Sequence, residues 1–228
     1  MKTCTITFVT LSCCYLATNL AFAQPSESVK PSTPVKSTTP VAEPTKVMQP
    51  NMANLLQNVN EVAKQLQNNL ADLEKNIQAS RDSIEKGGEV LDEMLSSVTA
   101  VHGSMAEDSA IWKELNSLLE LWEKRRKETL QKSESNPAFL PVAEAWQKKI
   151  ETANELRKQI STERANSVAL MRSIQSDRDI VLSYYELGQA DKAIEGLKKV
   201  SANLANLNEN MQGIVKTATA VQQQPISQ

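Results

Sequence analysis

Few residues in this chain are of the types that carry chemistry, and their spacing restricts what they can do. His102 is the sole histidine, and its place at the end of a long helical pattern suits a helix C-terminal dipole or a surface position better than a ligand or general base. The three cysteines, Cys4, Cys13 and Cys14, all fall in the first region. Beyond it no thiol is left for a disulfide, a thiolate metal site or a nucleophile, so stability must come from packing. Carboxylate pairs such as Asp92-Glu93, Glu107-Asp108 and Asp177-Asp179 read as solvated helix flanks, since acids are common there. There is no phosphate loop, nucleophile elbow or dinucleotide fingerprint. No catalytic residue, cofactor or metal is therefore expected.

Two other groups bear on binding. Lys124-Arg125-Arg126-Lys127 is the densest basic run, bracketed by Glu123 and Glu128, and could meet an anionic lipid, glycan or phosphate. Trp112, Trp122 and Trp146, with Phe139, flank the stretch 133–140, so a hairpin there brings the rings together as a local core or as a partly exposed patch.

The elements that position these residues follow from composition and period. Of 228 residues only 4% are aromatic and six are glycine, which argues against a compact α/β enzyme and for long helices. Lys and Arg number 25 against 27 Asp and Glu, net −2, so no strong field recruits nucleic acid.

Residues 1–23 have the form of a signal peptide: Lys2, a weakly apolar stretch from Ile6 to Phe22, and Ala21-Phe22-Ala23 before Gln24-Pro25, with cleavage expected after Ala23. About 17 residues interrupted by Thr10, Ser12, Thr18 and Asn19 are short and polar for a retained membrane anchor. Leu11-Ser12-Cys13-Cys14 resembles a lipobox, which gives lipoprotein attachment at Cys14 as the alternative, although Cys13 stands where a smaller residue is expected. The chain is thus expected in the periplasm or secreted. Residues 24–50, with six prolines among Ser, Thr, Val and Lys, form a disordered spacer that spans roughly 80 Å when extended.

From residue 51 to 222 the apolar pattern is helical. Leu56, Ala63, Leu70, Ile77, Ile84, Leu91, Val98 and Met105 recur every seven residues, with Met52, Val59, Leu66, Leu73, Ser80, Gly87, Met94 and Val101 as the companion line. Such a register predicts a coiled-coil helix over 52–102, about 75 Å long, with Gly87-Gly88 as its weak point. Gly103 as a C-cap, with Ser104 and Glu107 as a capping box, places a chain reversal at 103–105. A second helix follows over 105–132. Ser133 to Pro137 then breaks the chain, and Pro141 opens a third helix that ends at Leu187-Gly188. That helix carries Trp146, Ala153, Ile160, Ser167, Ile174 and Val181 on one line, and Arg157, Arg164 and Arg178 on its neighbour. The last helix spans 190–221 and the tail 223–228 frays.

Tyr184 to Ile194 resembles the turn of a tetratricopeptide repeat, with Leu187-Gly188 ending one helix and Ala193 packing the next. No second copy lies at a 34-residue interval, so this stretch reads as a helical hairpin turn.

The expected fold is all-α, an elongated antiparallel bundle or coiled coil of about four long helices after a disordered Pro-rich segment. The expected function is that of a non-enzymatic exported protein, a structural or partner-binding module of a bacterial-type periplasm or cell envelope. Its partner would be another protein or a second copy, docked on Leu56, Leu66, Leu70, Leu73 and Ile77 of the first helix, with the Trp112, Trp122 and Trp146 patch as a second surface. An amphipathic-helix protein that binds a membrane surface, a lipid carrier or helical pore former, is the alternative.

Overall fold

The structure, a computed structural model, describes residues 50–226. The expectations for residues 1–49, signal peptide and spacer included, and for 227–228 lie outside it. The described residues are all-helical, with five α-helices where about four were expected: α1 Met52–Ala79, α2 Ile84–Ser104, α3 Ala110–Ser135, α4 Leu140–Glu186 and α5 Ala190–Gln223. A single 3-10 turn, Pro137–Phe139, joins α3 to α4.

The extra helix comes from the first heptad stretch. It does not run from 52 to 102: it ends at Ala79, and Ser80 to Ser83 reverse the chain. Asn69 Nδ2 of α1 donates to Ser97 Oγ of α2 at 3.0 Å, and Asn76 Nδ2 donates to Glu93 at 2.9 Å, so the two helices run antiparallel. The Ser83 side chain caps α2 by accepting from the Lys86 N–H, one of the first-turn donors that have no carbonyl partner. The reversal expected at 103–105 is absent. Residues 105–109 form an irregular turn, and α3, capped by Ser109 through the Trp112 N–H, continues in the direction of α2.

Contacts on α4 establish that continuity. Asp92, Thr99 and His102 of α2 meet Arg178, Met171 and Ser167 of α4. Trp112 and Trp122 of α3 then meet Arg157 and Lys149. As the numbers rise on α2 and α3 they fall steadily on α4, so both lie end to end and antiparallel to a 47-residue helix about 70 Å long. Antiparallel α5 covers another face of α4: Asn210 and Gln224 meet Glu163 and Lys149. α1 packs on α5, α2 and the start of α3, closing the layout.

The core is the shared stripe of these helices. In α5 Ala193, Leu197, Val200, Leu204, Leu207, Met211, Ile214, Ala218 and Val221 recur at three- and four-residue steps and are buried, and Ala190 is partly exposed. In α1 and α2 the expected register is likewise buried or half-buried, apart from Ile84 just after the reversal. Gly188 ends the α4 to α5 connection with φ +66°, a conformation that suits glycine. There the Gln189 N–H donates to the Tyr184 carbonyl at 2.8 Å and the Gly188 N–H to Tyr185 at 3.0 Å, the paired bonds of a Schellman C-cap.

Candidate interaction surface

The docking seam expected on the first helix is turned inward. Leu66, Leu73 and Ile77 are each at most 2% exposed, and Leu56 and Leu70 are half-buried against the same core. The seam closes within the chain because the reversal at 80–83 folds α2 back along α1 and brings α5 to the same stripe. Leu66, Leu73 and Ile77 are thereby core, and Leu56 and Leu70 keep part of their surface in solvent.

The three tryptophans divide. Trp122 is core, 5% exposed, with the Lys149 ammonium 5.2 Å from its ring centroid. Trp112 and Trp146 are half-buried and keep an open edge. The Arg157 guanidinium lies 5.5 Å from the Trp112 ring, so an exposed arginine on the second line of α4 is satisfied by an aromatic face.

The other two arginines of that line are paired as well. The Arg178 guanidinium forms a two-pronged contact with the Asp92 carboxylate, and this hydrogen bond holds its pKa above the ordinary arginine value against partial desolvation. Arg164 reaches Glu107 in the α2 to α3 turn at 3.4 Å. These pairs tie α4 to the discontinuous side of the fold.

A polar layer lies beside that turn. Ser167, fully buried, donates to the Arg164 carbonyl at 2.7 Å, and His102 Nδ1 sits 3.0 Å from Ser167 Oγ. Since the serine proton is committed to a carbonyl, His102 is the donor in this pair and does not serve Ser167 as a base. The spacing that elsewhere activates a nucleophile is here a helix-to-helix clasp. Buried Glu163 accepts from Asn166 at 3.1 Å and Asn210 at 2.9 Å, which ties α4 to α5. Burial pushes the Lys149 ammonium below its ordinary pKa, while Lys149 donates to the Gln224 carbonyl at 3.1 Å where α5 ends. Among the described residues no group of three or more His, Cys, Asp or Glu is placed to hold a metal ion, and no helix is long and apolar enough to cross a membrane.

One groove open to a partner, of about 640 Å³, lies between α3 and α4. Leu119 and Ile150 form its floor, and Glu123, Lys124, Lys127 and Arg157 stand along its rim. Period alone did not single out this groove, because Leu119 and Ile150 read as ordinary core positions. The sequence signal it does carry is the mixed-sign run 120–128 on the flank of an apolar stripe. Comparison with family models, curated proteins and solved structures finds no match to this chain.

Proposed function

We propose that the chain is a non-enzymatic, exported helical module of a bacterial-type periplasm or cell envelope, acting as a structural element that binds a protein partner. The observation that carries this reading is the inward closure of the apolar seams. It leaves a body built of long helices whose polar layers join one helix to the next, and whose open groove has an apolar floor with a rim of both charge signs. A floor and rim of that kind match the apolar face and flanking charges of a partner helix. Trp112, stacked with Arg157 at the groove's border, supplies an aromatic anchor of the type that dominates interface energetics. The Pro-rich stretch before Met52 serves as a spacer between the export signal and the bundle.

Site-specific photo-crosslinking in the native host tests this. A crosslinker placed at Gln131, which lines the groove, is expected to trap one discrete protein species, and the same group at Lys64, an exposed position on α1, none. Identical patterns at the two positions would refute the assignment. A trapped species with twice the mass of the chain would make the partner a second copy.

A further inference from the structure

We propose that the far end of the α3–α4 hairpin binds a membrane surface rich in anionic lipid headgroups. The first observation is extent. α5 ends where Gln224 meets Lys149 and Thr152 of α4, and α1 begins where the Asn51 N–H donates to the Glu114 carboxylate of α3. Beyond Trp122, which faces Lys149, α3 runs thirteen residues further to Ser135, about 20 Å at 1.5 Å per residue. Over that length α3 runs beyond the ends of both α1 and α5, with α4 and the connecting turn as its neighbours.

The second observation is charge. Residues 123–149 hold seven Lys and Arg against four Glu, net +3, whereas the rest of 50–226 holds fourteen against twenty-one Asp and Glu, net −7. The molecule is segregated, with its cations concentrated on the projecting end. The near-zero net charge of the whole chain conceals this.

The third is apolar exposure at the same end. Of the five large hydrophobic residues most open to solvent, two lie here: Leu130 at 36% and Leu140 at 48%. Half-buried Phe139 sits between them in sequence, with the Lys132 ammonium 5.9 Å from its ring. Isolated apolar side chains at a convex tip, ringed by lysine and arginine, suit a planar anionic surface into which they dip. A protein site would favour a concave surface with an apolar floor such as the groove above. The chain also enters α1 at this end of the bundle, because Asn51 is level with Glu114.

Flotation of the full chain lacking residues 1–23 tests the inference, using phosphatidylcholine vesicles with and without phosphatidylglycerol. Binding is expected only with phosphatidylglycerol, and it should fall as salt rises. Glycerol 3-phosphate in solution should fail to compete, which separates a lipid surface from a free phosphate. Each cation near such a surface strengthens binding about fivefold, so Arg125→Glu with Lys132→Glu, neither of them lining the groove, should weaken it at least about 25-fold. Leu130→Ser with Leu140→Ser should weaken it about tenfold. Lys198→Glu with Lys199→Glu on α5 makes the same change in net charge and should leave binding intact. Equal loss in this control, or no dependence on phosphatidylglycerol, would overturn the inference. Failure to float while the Gln131 crosslink persists would overturn it too and leave the protein-partner reading standing.

Discussion

Replacing either of two adjacent glycines by alanine should move stability in opposite directions. Gly87 and Gly88 both lie in the first turns of α2 and both are buried. A Cβ on Gly87 would stand 2.4 Å from Cε2 and 3.0 Å from Cζ of Tyr185, inside any real contact distance. The ring is not free to retreat. Its hydroxyl lies 2.9 Å from Ser80 Oγ, which itself donates to the Ile77 carbonyl at 2.8 Å, so the tyrosine locks the α1 to α2 reversal. Gly87→Ala gains up to about 1 kcal/mol of helix propensity. Against this stand about 1–3 kcal/mol of overpacking and about 1 kcal/mol if the hydroxyl contact breaks, for a net loss of about 1–3 kcal/mol. At Gly88 the added Cβ would meet Arg178 Nη2 at 3.8 Å and Leu182 Cδ2 at 3.9 Å, ordinary contacts, so Gly88→Ala should stabilise by about 0.5–1 kcal/mol. Urea unfolding followed by far-ultraviolet circular dichroism reads both. In a Tyr185→Ala background the Gly87→Ala penalty should vanish, a coupling of about 2 kcal/mol. A Gly87→Ala protein as stable as the parent, or a penalty that survives loss of the ring, would refute the close approach.

Two further outcomes follow from particular groups. Gly188→Ala should cost about 1 kcal/mol, because its φ of +66° is strained for any side chain even though nothing lies within 4 Å of the new Cβ. Gly103→Ala, with equal space and no positive φ, should cost nothing, and the same urea series compares them. Burial lowers the Lys149 pKa from 10.5, so the unfolded chain binds more protons than the folded one in the alkaline window between the folded value and 10.5. The contribution of Lys149 to stability should therefore rise with pH through that window. The difference in unfolding free energy between the parent and Lys149→Met should grow in favour of the parent from neutral to alkaline pH, and parallel curves would contradict the sign.

Helix type and core identity were legible because both depend on period. The ends of α3, α4 and α5 were also legible where glycine or proline marks them, as at Gly188 and Pro137. The reversal at 80–83 was not, for a physical reason: Ile77 and Ile84 are seven residues apart, so the turn occupies half a heptad and the apolar register re-enters α2 in phase. Ser80, a polar residue on the seam line, and Ser83, a serine able to cap, were the available signals. Gly87-Gly88, the weak point of the pattern, is not a break: Gly87 lacks a side chain where Tyr185 packs closely. The seam residues proposed for docking were correct as an apolar stripe. Within the chain that stripe is covered by α2 and α5, which the pattern alone does not specify.

The turn at 105–109 does what a reversal would not. Had the heptad of α2 continued unbroken, positions 105, 108, 112 and 115 would face the core, which puts Asp108 inside and Trp112 against it. Instead Met105 is the last buried residue of the α2 line, 1% exposed, and Ile111 is the first of α3, 3% exposed. Ser109 restarts the helix as its N-cap, while Ser104, expected to open it, donates back to the Val101 carbonyl at 2.7 Å. Leu115 and Trp122 keep the phase of the α2 line, but Ile111 and Leu118 join them on the inward side and Trp112 lies half-buried on the flank beneath Arg157. Asp108 is left in water, and Glu107 becomes the partner of Arg164. The interruption thus leaves Trp122 in the core and turns Trp112 toward the open groove. The surface proposed for a partner helix is a consequence of five irregular residues lying opposite an uninterrupted α4.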